Sequence, residues 1–245
     1  MQADHFDQQK LLALAAEDVA LAQLAHRTRT LPELAAVDAA QEAQRTLSDD
    51  VVRAETEVRD LDREQKRLEA DVETVRQREA RDQARIDGGA TAKEITGLQH
   101  ELESLQRRQS DLEDQVLELM ERRETADAAL ATAQGGLAGA QADQERAEQQ
   151  RDAALADIAD ATSRHQATRA QIAGTVPADL LKLYDRVAQQ TGSTGAAHLR
   201  AGRCEGCRIE FYGNELSAYR NADPHTVLRC ENCGRILVRT AESGL

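Results

Sequence analysis

The sequence predicts a mainly α protein: a long antiparallel coiled-coil helical hairpin followed by a small C-terminal β module. Three observations predict it. Apolar residues recur at alternating spacings of four and three along two long stretches, the pattern of a coiled-coil seam. A short glycine break, Asp87-Gly88-Gly89-Ala90, separates the two stretches. The four cysteines of the 245-residue chain stand as two Cys-x2-Cys pairs near its end, Cys204/Cys207 and Cys230/Cys233.

Composition agrees. Charged residues make up 31 % and aromatics 2 %, with no Trp, so a single large globule lacks the bulky groups for its core. The prolines, Pro32, Pro177 and Pro224, leave long helices room to run. The net charge of −13 is uneven: from His198 onward seven Arg nearly balance six acids, so the negative charge lies on the helical part. An acidic rod is a poor general binder of nucleic acid.

The elements follow in order. A first helix is expected from about Asp4 to Arg29, with Leu11, Leu14, Leu21 and Ala25 at helical spacing and one polar intruder, Asp18. Thr30-Leu31-Pro32-Glu33 interrupts it, Pro32 suiting the first turn of the next helix. A seam then runs through Leu47, Val51, Ala54, Val58, Leu61, Gln65, Leu68, Val72, Val75, Glu79, Asp82 and Ile86. After the glycine break a second seam runs from Ile95 and Leu98 through Leu112, Val116, Leu119, Arg123 and Ala126, then turns alanine-rich and fades towards Ile172. A short turn between two seams makes them antiparallel neighbours. Folding about Gly88/Gly89 places Gly135–Gly139 opposite Asp38–Glu42, and a bend is expected near residues 30–42 and 135–139. The domain division expected is 1–174 for the hairpin, 175–195 for a short helix and linker, and 196–245 for the cysteine module. Within that module Ala196–Arg200, Arg208–Phe211 and Arg235–Arg239 read as strands of a small antiparallel sheet, and Thr191–Gly195 as a flexible linker.

Two Cys-x2-Cys turns aim four thiolates at one point, the arrangement that holds Zn²⁺ tetrahedrally. With Cys204, Cys207, Cys230 and Cys233 as ligands the shell is closed to water, so one structural zinc ion is expected. Thiolates kept for zinc imply a reducing compartment. No basic-plus-apolar leader opens the sequence, and no apolar run reaches membrane-spanning length. A cytoplasmic location is therefore expected.

Three stretches carry a resemblance: Thr91-Ala92-Lys93-Glu94 leading to Leu98-Gln99-His100-Glu101, then Gly202-Arg203-Cys204-Glu205-Gly206-Cys207, and Cys230-Glu231-Asn232-Cys233-Gly234-Arg235-Ile236-Leu237. The chain resembles the bacterial coiled-coil proteins with a C-terminal C4-type zinc ribbon. One departure is Val238, where that family pattern leads one to expect an aromatic. The resemblance implies a helical hairpin with the ribbon at its open end, and a role in contacts with protein partners or with RNA or DNA.

Candidate binding residues on the ribbon are Arg200, Arg203, Arg208, Arg229, Arg235 and Arg239, with Phe211 and Tyr212 as stacking rings. Nothing in the sequence pairs a nucleophile with a base or builds a phosphate-cradling loop. The expectation is a non-enzymatic adaptor or chaperone-like scaffold acting on a protein partner. The alternative is a nucleic-acid binder using those arginines and rings. The thin alanine seam leaves the oligomeric state open.

Overall fold

A computed structural model describes all 245 residues. The chain forms two compact units: Ala35–Glu148, and Met1–Leu34 together with Gln149–Leu245. Its elements are α1 (His5–Arg29), α2 (Pro32–Asp87), α3 (Ala92–Ala173), α4 (Ala178–Thr191), β1 (Ala196–Arg200), β2 (Arg203–Cys204), α5 (Gly213–Asn221), β3 (Leu228–Arg229) and β4 (Ile236–Val238).

The unit Ala35–Glu148 is a hairpin of α2 on α3. Every expected seam position from Leu47 to Ile86 is buried or half-buried, while most of the residues between are exposed. Leu61, Leu68, Val72, Leu112, Leu119 and Ala126 form its core. At the turn Gly89 adopts φ +94°, a left-handed conformation that favours glycine. The Thr91 backbone N–H and hydroxyl both donate to Glu94, at 2.9 and 2.6 Å, which starts α3. Inter-helix pairs fasten the register: Arg76 with Glu113 at 2.8 Å and Arg123 with Asp62 at 2.6 Å.

That register differs from simple folding about Gly88/Gly89. The partners on α3 lie roughly two to three turns further along than counting backwards from the turn gives. Part of the shift has a plain cause. Helical side chains lean towards their own N-terminus, so α3 side chains reach back towards the turn while those of α2 reach away from it. Gly136 therefore meets Leu47, whose Cδ2 would lie 3.4 Å from a Cβ there, and does not face residues 38–42. The first arm is broken at Thr30–Leu31, but α3 is helical through Gly135, Gly136 and Gly139. Glycine weakens a helix by about 1 kcal/mol without removing a hydrogen bond, so these glycines do not interrupt it.

In the other unit, Leu11, Leu14, Val176, Leu180, Tyr184, Ala196, Ile236 and Val238 share one core, drawn from α1, the turn before α4, α4 itself and the sheet. The polar intruder of α1 has partners. Asp18 accepts from the Tyr184 hydroxyl at 2.6 Å and from Arg169 Nε at 2.6 Å, and Arg169 also donates to Asp185 at 3.2 Å. One carboxylate thus ties α1 to α3 and α4. His165 Nδ1 adds a 2.7 Å pair with Glu17.

The sheet order is β2-β1-β4-β3. The two hairpins are antiparallel, but β1 runs parallel to β4 in the register Ala196↔Ile236 and His198↔Val238. The sheet is mixed where an antiparallel one was expected. Each hairpin closes through a short turn, and the longer crossover carrying α5 returns β4 alongside β1 in the same direction. Arg208–Phe211 is not a strand: Arg208 sits at φ +62°, and a single bridge, Arg203↔Glu210, remains. Nor is Thr191–Gly195 a loose linker. Gly192 caps α4 in the left-handed region, Thr194 is buried, and a Cβ on Gly195 would fall 2.2 Å from the Tyr184 carbonyl oxygen.

The first residues of the chain are bound into the same unit. Gln2 bridges Thr226, Ala3 N–H donates to His225 O at 2.8 Å, and Val227 N–H donates to Met1 O at 3.1 Å. Buried Gln8 secures this edge by donating to Ala3 O and Pro224 O at 2.9 and 3.2 Å.

Candidate metal centre and the surface around it

The four sulfurs are placed by two turns built alike. In the first, Arg208 N–H donates to Cys204 O at 2.6 Å and Cys204 N–H donates to Ile209 O at 3.0 Å. In the second, Gly234 N–H donates to Cys230 O at 2.8 Å and Cys230 N–H donates to Arg235 O at 2.9 Å. The residue following each second cysteine is left-handed, Arg208 at φ +62° and Gly234 at φ +73°. At that position one turn has a glycine and the other an arginine, and inside the loops Gly206 stands where the second turn has Asn232. Gly206 is needed for close approach, since a Cβ would lie 2.7 Å from Arg235 Cδ and 2.9 Å from Ala197 Cβ.

All four Sγ atoms lie within 4.8 Å of one another. Cys204–Cys233 is 3.9 Å and Cys207–Cys230 is 3.7 Å. Tetrahedral zinc with Zn–S bonds of about 2.3 Å sets its sulfurs about 3.8 Å apart, so the donor set fits the ion. Burial pushes the Cys204 thiol well up and raises the Cys230 thiol too. Burial also acts on Cys233, but the Arg235 backbone N–H and guanidinium outweigh it and bring that thiol down to about 7. A divalent cation among four thiolates supplies the charge that burial withholds. The centre is one structural Zn²⁺ held by Cys204, Cys207, Cys230 and Cys233. Around it, Leu199, Phe211, Tyr219, Leu228 and Leu237 form the ribbon core.

Most of the other candidate residues are buried or engaged within the same unit. Phe211 is buried edge-on against Tyr219, ring centroids 5.0 Å apart, and offers no stacking surface. Arg239 donates to four carbonyls of one loop: Ala222, Asp223, Pro224 and Thr226, at 2.7 to 2.9 Å. Arg235 Nε donates to Thr194 O at 3.2 Å and Arg229 Nε to Gly234 O at 3.0 Å. Arg203 is paired with Glu205 at 2.7 Å and Arg200 with Glu242 at 3.1 Å. Arg208 and Tyr212 are exposed, Tyr212 at 71 % and hydrogen-bonded to Glu210. Beside them Ile209 is 42 % exposed. The sequence reading placed Ile209 in a strand. No sequence signal separates it from Ile236–Val238, which follows the other zinc turn and does form a strand.

No helix is long and apolar enough to cross a membrane. Comparison with known proteins bears on the whole chain. Residues 14–192 match the CT398-like coiled coil hairpin domain, and residues 203–237 match the C4-type zinc ribbon domain. The uncharacterized protein Rv2229c of Mycobacterium tuberculosis is 39 % identical over 240 residues, covering 98 % of both chains. The uncharacterized protein ML1638 of Mycobacterium leprae is 31 % identical, covering 82 % of this chain and 86 % of its own. A solved structure from Mycobacterium smegmatis superposes with a TM-score of 0.87 at 35 % identity, covering 98 % of this chain and all of that one. CT398 from Chlamydia trachomatis shares the fold with a TM-score of 0.67 at 18 % identity, covering 95 % and 97 %. The hairpin match spans most of the chain and the ribbon match encloses all four cysteines, so the protein belongs to the CT398-like coiled-coil hairpin family, with a C4-type zinc ribbon at its C-terminal end.

Proposed function

We propose that the protein is a non-enzymatic, chaperone-like adaptor of the cytoplasm that presents its zinc ribbon and coiled coil to a protein partner. The observation that carries this reading is the mounting of the ribbon. Its strands share one core with α1 and α4, so the zinc turns are held in a fixed orientation and are not tethered loosely. A rigid mount suits a docking surface, because little ordering is left to be done on binding. The closed four-sulfur shell leaves no coordination site for catalysis. Most ribbon arginines are engaged with carbonyls or carboxylates of the same unit, which favours a protein partner over phosphate.

The test is capture from cell extract on the zinc-loaded full chain, at low and at high salt, beside an Ile209→Ser/Tyr212→Ser variant. A protein retained at both salt levels and lost from the variant supports the adaptor. Retention of RNA or DNA alone, released steeply by salt, overturns it and makes the ribbon a nucleic-acid module.

A further inference from the structure

The coiled-coil seam leaves a second apolar stripe on α3 uncovered. Leu117 and Met120 lie off the seam, 60 % and 49 % exposed. With Val72 and Val116 they line two adjoining hollows of about 370 and 500 Å³ that share Leu117. From Glu113 to Asp127 the groove follows about 21 Å of helix, the length of four helical turns.

The rim of this groove is acidic. Glu69, Glu113, Glu121, Glu124 and Asp127 stand against two guanidiniums, Arg76 and Arg123. Both guanidiniums are already paired across the hairpin, with Glu113 and Asp62 at 2.8 and 2.6 Å. Arg123 also stands 3.9 Å from Asp127, which leaves Glu69, Glu121 and Glu124 without an ion pair, and an apolar floor beside these carboxylates selects its occupant by charge. A second copy of this chain would bring the same acidic rim against itself, and a nucleic acid would be repelled.

We propose that this groove receives one amphipathic helix of a basic partner protein. Apolar side chains at i, i+3 or i+4, and i+7 lie on Leu117 and Met120, and flanking Lys or Arg face the carboxylate rim. The proposal deepens the adaptor reading and rests on it. Bound in this way, the helix makes a local three-helix bundle over a stripe that the hairpin alone leaves wet.

The experiment uses the zinc-loaded full chain and a labelled synthetic Leu/Lys peptide of about 18 residues, long enough to cover the groove as a helix. Two controls accompany it: a Leu/Glu peptide of the same pattern, and a shuffled Leu/Lys peptide with no apolar face. The variants are Leu117→Gln/Met120→Gln and Glu121→Gln/Glu124→Gln, all at exposed positions, with melting curves to confirm the fold. Fluorescence anisotropy should show the patterned Leu/Lys peptide binding and both variants weakening it about tenfold or more. Unchanged affinity in the variants, or equal binding of the shuffled peptide, overturns the proposal. So does sedimentation showing self-association that Leu117→Gln/Met120→Gln abolishes, which would make the occupant a second copy. The capture experiment above separates the two readings. Partner loss with Ile209→Ser/Tyr212→Ser alone leaves the adaptor standing and removes the groove; loss with neither variant removes both.

Discussion

The Tyr184 hydroxyl donates to Asp18 Oδ2 at 2.6 Å, so a fully buried ring on α4 ends on a carboxylate of α1. Burial, and then the hydrogen bond to Asp18, pushes the Tyr184 phenol well above its ordinary range, which keeps the hydroxyl a donor. Tyr184→Phe keeps the ring and loses the bond. It should destabilise this unit by about 1–3 kcal/mol, the usual cost of a hydrogen bond to a charged group. Thermal melting followed by circular dichroism checks this; a melt equal to wild type would mean that the bond contributes nothing.

Gly195 approaches the same tyrosine from its backbone side. Gly195→Ala places a methyl group where the Tyr184 carbonyl oxygen stands 2.2 Å away, so the passage from α4 into β1 must shift. A loss of about 1–3 kcal/mol is expected, as for other overpacked sites. Gly192→Ala tests a different cost: the space is open, but φ is +62°. About 1 kcal/mol is expected there, and the difference between the two melts measures packing against backbone strain.

The two zinc turns should answer oppositely to substitution at equivalent places. Arg208→Gly relieves a left-handed non-glycine residue, while Gly234→Ala creates one. Chelator competition should find zinc held at least as tightly by Arg208→Gly and less tightly by Gly234→Ala, the strain being about 1–2 kcal/mol. The opposite ranking would mean that the Arg208 side chain matters more to the turn than its backbone.

Zinc affinity should fall as pH falls. Burial raises the Cys204 and Cys230 thiols, so in the metal-free ribbon they hold protons that zinc must displace. Protons compete more strongly at lower pH, and the competition eases as pH rises. Removing the metal should unfold the ribbon core, because Cys204 and Cys230 are themselves part of it. Competition titrations across pH, with loss of the Phe211–Tyr219 near-ultraviolet signal on chelation, check both statements.

Asp82 occupies a seam position, and its Oδ2 is buried with no hydrogen-bond partner. Asp82→Leu restores the apolar layer and should stabilise the Ala35–Glu148 hairpin by about 1–3 kcal/mol, the cost of an unpaired buried polar group. A lower melting temperature would show that this carboxylate has a partner in solution.

Much of this architecture was legible because it repeats. The seam from Leu47 to Ile86 follows from spacing alone, and the two Cys-x2-Cys pairs announce their own geometry. The register was not legible: it depends on how the chain leaves Asp87 and re-enters at Ala92, and on side chains leaning along each helix. Asp18 read as a flaw in a helix because Tyr184 and Arg169 stand more than 150 positions away. Arg239 read as a binding residue because nothing local shows that four carbonyls of the 222–226 loop converge on it. Leu117 and Met120 went unremarked because the eye follows the seam and they lie beside it.

The bridge between Gln2 and Thr226 also orders events during synthesis. The Ala35–Glu148 hairpin zips from a turn between neighbouring stretches, and its closing loop is short. α1 leaves the ribosome before the other helices, yet its partners on α4 and β4 emerge some 170 to 230 residues later. At synthesis rates of about 5–20 residues per second, its apolar face waits roughly 10–40 s for them. α1, made before the other helices, is therefore among the last of them to meet its partners, and its apolar face needs shelter while nascent.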